Sequence, residues 1–114
     1  MSCGDSEGEV TSTVPVLTEA DLLGKVVTLA NLYDWAYYHT WNSRHSTAGF
    51  PDLTLVRPPR LIFAELKKTG KYPTKAQKAW LAALGECPGV EAYLWREADL
   101  QDIADILSRV SRVT

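Results

Sequence analysis

The sequence predicts a single α/β domain in which one mixed sheet of about four strands is flanked by helices. Three observations lead to this prediction. Apolar residues recur at helical spacing in three segments, short apolar runs bounded by Gly and Pro lie between them, and the order is helix, strand, strand, strand, helix, strand, helix. The late strand, helix, strand passage is typical of a right-handed parallel crossover, so the sheet should contain both parallel and antiparallel pairs.

Length and composition are those of one ordinary globular domain. The chain has 114 residues, of which 46% are hydrophobic and 23% charged. No apolar run approaches the roughly 20 residues of a membrane span, and the N-terminus lacks a basic and then apolar leader, so we expect a cytoplasmic protein, or a nuclear one if its host has a nucleus. Residues 1–16 are rich in Ser, Thr, Gly and Glu and predict a disordered tail, which leaves residues 17–114 as the folded domain.

The first helix is predicted to begin after Thr18. The sequence Thr18-Glu19-Ala20-Asp21 has the form of a capping box, and apolar residues follow at helical spacing. Glu19 lies on the same stripe as those apolar residues. It is either an N-terminal acid that the helix dipole stabilises or an acid directed at a functional site, and the spacing leaves both open.

The aromatic segment Asp34–Thr40 predicts the first strand, on which Tyr37 and His39 share a face. His39 could be a base or a metal ligand, although a lone His more often bonds to backbone or substrate. The loop at residues 41–48 is polar, and Arg44 is its best candidate for a phosphate contact. An ordinary solvated loop explains that composition equally well.

The segment from Gly49 to Gln77 carries the residues around which the chain is organised. Two apolar runs separated by Pro58-Pro59 predict an antiparallel hairpin in which Leu53–Val56 pairs with Leu61–Ala64. In that pairing Asp52 lies beside Glu65. Two carboxylates in an apolar segment repel each other and are costly to desolvate unless a cation lies between them.

Glu65 and Lys67 share one face of the second hairpin strand because side chains two residues apart point the same way. One or two carboxylates are what Mg²⁺ or Mn²⁺ accept in phosphate-binding sites, and a nearby ammonium group suits a phosphate or a water nucleophile. These residues favour metal-assisted hydrolysis of a phosphodiester. The non-functional alternative is that Asp52 and Glu65 are separate surface acids.

A second capping box, Thr74-x-x-Gln77, predicts the next helix. Gln77 either bonds back to the backbone amide of Thr74 or directs its own amide at the attacking water or the phosphate, and these roles are compatible. Val90–Trp95 predicts the fourth strand, and residues 98–110 predict a closing amphipathic helix.

The basic residues are concentrated between Arg57 and Lys78, although the net charge is −2. This strip holds seven of the 12 Lys and Arg residues and one acid, Glu65. Such a local excess of positive charge is expected where a phosphate backbone binds near a metal. The alternative is an ordinary solvated surface. The candidate DNA contacts in the strip are Lys68, Lys71 and Lys75. Cys3 and Cys87 lack ligand-type spacing and predict neither a zinc site nor a disulfide.

Taken together, these motifs resemble the PD-(D/E)xK nuclease superfamily and, within it, the VRR-NUC domains. The resemblance is carried by Gly49-Phe50-Pro51-Asp52, by Glu65-Leu66-Lys67 thirteen residues after Asp52, and by Gln77 at a helix start. Further positions of the family pattern are matched by Glu19, Tyr38-His39 and Trp95. The resemblance covers roughly residues 18–107 and implies a restriction-endonuclease-like core.

The resemblance implies a DNA endonuclease that depends on Mg²⁺ or Mn²⁺ and uses no organic cofactor. Asp52 and Glu65 would bind the metal by side chain and Leu66 by its carbonyl, Lys67 would act on the attacking water, and Glu19 and Gln77 would arrange a second metal or its waters. Small stand-alone members resemble virus-encoded homodimers that act on branched DNA such as four-way junctions, in repair or recombination. The alternative is a non-catalytic module that binds DNA structures with the same fold.

Overall fold

The structure is a computed structural model that describes residues 18–41 and 47–110. The proposed tail at residues 1–16 and the candidate phosphate ligand Arg44 lie outside the described residues. No helix in the described part of the chain is both long and apolar enough to cross a membrane. The elements are α1 Glu19–Leu32, β1 Ala36–His39, β2 Leu53–Arg57, β3 Arg60–Leu66, α2 Lys75–Gly85, β4 Val90–Trp95, a 3₁₀ turn Glu97–Asp99 and α3 Leu100–Ser108.

The predicted element order and mixed sheet are confirmed. The strands lie in the order β1-β2-β3-β4, with β1 and β3 antiparallel to β2 and with β4 parallel to β3. The hairpin has the predicted register, from Leu53 opposite Ala64 to Val56 opposite Leu61. This topology brings the carboxyl ends of β1, β3 and β4 and the amino end of β2 to one edge of the sheet, which we call the site edge. The opposite edge contains the β2–β3 turn, and we call it the turn edge.

The two faces of the sheet are covered by different helices. Helices α1 and α3 cover one face, where the core consists of fully buried aliphatic side chains from both helices and both hairpin strands. Helix α2 packs over β3 and β4 on the other face, the face to which Phe63 and Glu65 belong by strand alternation. The core side chains include Leu22, Val26, Leu53, Leu55, Ile62, Ile103 and Leu107.

Both predicted capping boxes form. The Thr18 hydroxyl accepts from the Asp21 amide at 3.0 Å, and the Asp21 carboxylate accepts from the Thr18 amide at 3.1 Å. These bonds lower the pKa of Asp21. The box at Thr74 is closed in the same way by Gln77. Helix starts were predicted correctly here because the cap involves residues only three apart.

Two elements, β1 and α3, are shorter at both ends than the sequence predicts. Strand β1 begins at Ala36 instead of Asp34 because Asp34 has a φ of 65° and cannot continue a strand. Helix α3 begins at Leu100 instead of Ala98 because Glu97–Asp99 forms a 3₁₀ turn. That turn is closed by the Asp99 carboxylate, which accepts from the Arg96 amide at 2.9 Å.

Arg57 and Arg60 were counted in the basic strip, but the structure places them at the turn edge. Arg60 lies five residues along β3 from Glu65, which is about 17 Å at about 3.3 Å per residue. Arg60 forms two hydrogen bonds of 2.8 Å with the carboxylate of Glu91. Both guanidinium groups also donate to backbone carbonyls at the end of α3, where Trp35 donates to Leu107 at 2.9 Å. Placing these two arginines on a phosphate-binding strip was therefore wrong: their donors complement the negative end of a helix dipole.

We expect Arg60→Ala to lower the free energy of unfolding by roughly 2–4 kcal/mol. The change leaves Glu91 without its bidentate partner and removes the donor to the Ile106 and Arg109 carbonyls, in a place where the Arg60 side chain is only 11% exposed. Urea denaturation measures the loss, with the exposed Lys78→Ala as control. A loss as small as that of the control would contradict this role.

Candidate active site

The turn that carries Asp52 is clamped against helix α2. Gly49 has a φ of 90°, and a Cβ atom added there would lie 2.6 Å from the carbonyl carbon of Ala76. Phe50 packs edge-on against Trp80, with ring centroids 5.0 Å apart, and the Trp80 indole donates to the Ala48 carbonyl at 3.1 Å. These contacts set the position of Asp52 relative to the start of α2.

Asp52 lies at the site edge, where it joins three strands. Its carbonyl accepts from the Thr40 amide at 2.8 Å, which extends the β1–β2 pairing by one step. Its carboxylate Oδ2 accepts from the Leu66 amide at 2.9 Å. The carboxylate is thereby held beside the end of β3, as the hairpin register predicts.

Glu65 is the one charged side chain in the buried core of the described residues, with an exposed fraction of 2%. Its Oε2 accepts from the Gln77 side-chain amide at 2.9 Å, whereas its Oε1 has no hydrogen-bond partner among the described residues. Burial, followed by the negative charge of Asp52, raises the pKa of Glu65 to about 8. The geometry thus leaves an acceptor oxygen unsatisfied beside a second carboxylate, where a cation would relieve both costs.

Lys67 lies on the same face as Glu65, as strand alternation predicts. Its Nζ atom is 3.7 Å from Glu65 Oε2, and its side chain is 14% exposed. The positive charge lowers the pKa of Glu65, but less than burial and Asp52 raise it. An ammonium group therefore lies alongside the carboxylates without neutralising them.

Gln77 closes the capping box at Thr74 and also contacts Glu65. Its Oε1 accepts from the Thr74 amide at 2.7 Å while its Nε2 donates to Glu65. The side chain therefore links the start of α2 to the buried acid. In this structure the amide donates to Glu65, whereas the second of the two roles left open by the sequence would have it face the attacking water or the phosphate.

Glu19 and His39 contribute to a small cavity at the site edge. The cavity has a volume of about 220 Å³, and Asp52 and Leu66 also line it. The negative charge of Glu19 makes a minor contribution to raising the pKa of Glu65. The first helix therefore brings its N-terminal acid to the site, although the Glu19 side chain itself is exposed.

Residues 18–41 and 47–110 contain no group of three or more His, Cys, Asp or Glu side chains arranged to hold a metal ion. Mg²⁺ commonly uses only one or two carboxylates, with waters and substrate phosphates completing its shell. The unsatisfied oxygen of Glu65 and the neighbouring Asp52 carboxylate fit that requirement. The donor set suits a hard divalent cation and not zinc, which prefers nitrogen and sulfur.

The candidate DNA contacts Lys68, Lys71 and Lys75 lie between the end of β3 and the first turn of α2. Arg96, which follows β4, holds this loop by donating to the carbonyls of Lys71 at 2.7 Å and Lys68 at 3.4 Å. These lysines therefore flank the carboxylates. The roles of Arg96 and of the clamp residue Trp80 leave no signal in the sequence, because their partners are 25 to 32 residues away.

Comparison with solved structures identifies a similar protein, described as a VRR_NUC domain protein. The two align with a TM-score of 0.57 and 24% sequence identity, over 81% of this chain and 87% of that chain. This chain has the VRR-NUC fold. No protein-family model matches the sequence, and comparison with curated proteins found no match.

The VRR-NUC fold accounts for the grouping at the site edge. The fold joins the hairpin β2–β3 to β4 through α2, so the end of β3 faces the start of that helix. The fold class expected from the Asp52 and Glu65-Leu66-Lys67 motifs is therefore confirmed. The roles of the individual VRR-NUC motif residues in catalysis remain predictions.

The raised pKa of Glu65 predicts that the metal-free protein is most stable in mild acid. Between the ordinary pKa of 4.5 and about 8, the folded protein holds a proton that the unfolded chain has lost. The free energy of unfolding should therefore fall as pH rises through this window, by at most about 1.4 kcal/mol per pH unit. Urea unfolding in EDTA measures this, and Glu65→Gln should remove the decline. An identical decline in both proteins would refute the assignment to Glu65.

Proposed function

We propose that the protein is a divalent-metal-dependent DNA endonuclease that hydrolyses phosphodiester bonds. The observation that carries the proposal is the buried Glu65, with one unsatisfied oxygen, between Asp52 and the Lys67 ammonium group. A buried carboxylate beside a second, half-buried one is electrostatically unfavourable without a metal ion, because the single Lys67 ammonium group does not offset both charges. This pair lies on the VRR-NUC fold.

Mg²⁺ or Mn²⁺ would be held by the side chains of Asp52 and Glu65 and by the Leu66 carbonyl, with Glu19 as a further candidate ligand. Such an ion withdraws charge from a phosphate and lowers the pKa of a bound water. Gln77 keeps Glu65 in position by its hydrogen bond. Lys67, on the same face, orients the attacking water and stabilises the negative charge that develops on the phosphate.

The substrate is proposed to be branched DNA, cut by a homodimer in the manner of a four-way junction resolvase. Lys68, Lys71 and Lys75 would contact backbone phosphates near the carboxylates, and Arg44 is a further candidate in the loop after β1. A two-fold dimer would present two sites to a substrate of matching symmetry. Such an enzyme would act in DNA repair or recombination inside the cell, in the cytoplasm or, in a eukaryote, the nucleus.

The test is cleavage of labelled four-way junction, flap and linear duplex DNA in Mg²⁺, Mn²⁺ or EDTA. We expect cleavage only with a divalent ion, faster on branched DNA, with 5′-phosphate and 3′-hydroxyl products. Glu65→Gln should abolish cleavage, whereas Glu86→Gln, at the exposed end of α2, should not. Equal cleavage of all three DNAs would refute the structure selectivity, and cleavage in EDTA would refute the metal requirement.

A non-catalytic module that binds DNA structures is the second candidate. It is favoured by the Asp52 carboxylate, one oxygen of which already accepts a hydrogen bond from the Leu66 amide. A wild-type protein that binds junctions but never cuts them with any divalent ion would support this candidate. Titration calorimetry with Mn²⁺ separates the two, because the enzyme should bind the ion and Asp52→Ala should weaken that binding.

A further inference from the structure

Every exposed aromatic side chain among the described residues lies on β1, next to it, or in the loop that begins at the end of β3. Trp41 is 74% exposed and Tyr72 is 77% exposed, and the others are Tyr37 and Tyr38 on β1. Large rings are usually buried, because each carries a considerable apolar area. Two of the exposed residues, Trp41 and Tyr72, lie at the site edge, where exposed rings suit a ligand with flat apolar faces.

Trp41 lies beside the carboxylates on the β1 side. The Thr40 amide donates a hydrogen bond to the Asp52 carbonyl at the site edge, and Trp41 is the next residue after Thr40. Its ring contacts that of His39, with centroids 5.3 Å apart, and His39 lines the cavity with Asp52. The outer part of the indole still faces solvent.

Tyr72 lies on the β4 side of the same edge. The guanidinium group of Arg96, directly after β4, lies 5.4 Å from the centre of the Tyr72 ring, and Arg96 also holds the loop carbonyls of Lys68 and Lys71. The ring is thus supported on one side and open elsewhere. Strands β1 and β4 are three strand spacings apart, about 14 Å, with Glu65 between them.

We infer that Trp41 and Tyr72 are stacking platforms for unpaired bases of the DNA strand on either side of the phosphate at the carboxylates. Aromatic rings stack on any base but only where that base is free of its own neighbours. Lysines in the Tyr72 loop suit the phosphates between those bases. The inference rests on the proposed function for the identity of the ligand, and it gives a physical origin for selection of branch points, flaps and single strands over paired duplex.

Binding is tested without cleavage, by fluorescence anisotropy in EDTA, with labelled oligothymidylate and with a duplex of the same length. We expect Trp41→Ala and Tyr72→Ala each to weaken oligothymidylate binding roughly 10-fold and duplex binding less than about twofold. Trp41→Phe, which keeps a ring, should recover most of the loss. Leu32→Ala is the control: Leu32 is 65% exposed but lies at the far end of α1, about 20 Å from Glu19.

A second arm replaces single bases of the oligonucleotide with abasic residues. An abasic residue at the stacked position should weaken binding by the wild-type protein. It should not weaken binding by Trp41→Ala any further, because that variant has already lost the stacking contact. Equal weakening of single-strand and duplex binding, or no weakening, would overturn the inference, as would a Trp41-dependent dimer in size-exclusion chromatography that does not bind the oligonucleotide. Because this test measures binding and not cleavage, a protein that binds as expected but never cuts DNA would refute only the nuclease proposal. A protein that cuts DNA but whose single-strand binding does not depend on Trp41 or Tyr72 would refute only the stacking.

Discussion

Replacing Lys67 with methionine is expected to lower the cleavage rate by roughly 100- to 1,000-fold while the protein remains folded. Removal of one preorganised donor from a developing negative charge has an effect of this size. Methionine keeps most of the apolar stem, and the Lys67 side chain is already largely covered, at 14% exposure. The loss should therefore appear in kcat, with thermal stability changed little.

Two measurements accompany this prediction. Lys78→Met removes a charge from the exposed face of α2 and should change the rate by less than about tenfold, because it alters only long-range attraction of DNA. Lys67 also lowers the pKa of Glu65, so its loss should move the acid limb of the pH–rate profile to higher pH. A Lys67→Met enzyme with nearly normal kcat and an unmoved profile would show that the ammonium group does not act at the reaction centre.

Gly49→Ala is expected to destabilise the protein by roughly 2–5 kcal/mol and to abolish cleavage in whatever fraction remains folded. The added methyl group would meet the backbone of Ala76 at 2.6 to 2.8 Å, and the φ of 90° is unfavourable for any residue with a Cβ atom. Helix α2 cannot yield at that point without moving Gln77, which contacts Glu65. The turn would shift instead and displace Asp52.

Gly70→Ala is a matched control for this substitution. Gly70 has nearly the same φ, 88°, but a Cβ atom there would meet nothing within 4 Å. It should therefore show only the backbone cost, about 1–2 kcal/mol. The difference in urea stability between the two variants isolates the steric contact with α2, and equal destabilisation would mean that the turn is not clamped as described.

The candidate site could be predicted in part because its central geometry follows from short-range rules. Strand alternation puts Glu65 and Lys67 on one face, and the hairpin register brings Asp52 to Glu65. The capping boxes at Thr18 and Thr74 depend on residues three apart, so they too could be predicted. Each of these relations is set by the repeat of one element or by one short turn.

The misassigned arginines show the opposite case. Nothing near Arg57 or Arg60 in the chain indicates that their partners are carbonyls about 50 residues later, at the end of α3. Proximity in sequence suggested one continuous basic surface. Because β3 crosses the whole sheet, residues at its two ends lie at opposite edges and only the later lysines flank the carboxylates.

The sequence by itself therefore determined the element order, the sheet pairing of the hairpin and the carboxylate pair with its lysine. Only the tertiary structure decided that Glu65 is almost fully buried with one oxygen unsatisfied, that Trp80 and Gly49 hold the Asp52 turn against α2, and that Gln77 reaches Glu65. The physical reason is distance along the chain. Hydrogen-bond periodicity acts over a few residues, whereas burial and long-range contacts depend on how α2 is brought back across the sheet by the parallel crossover.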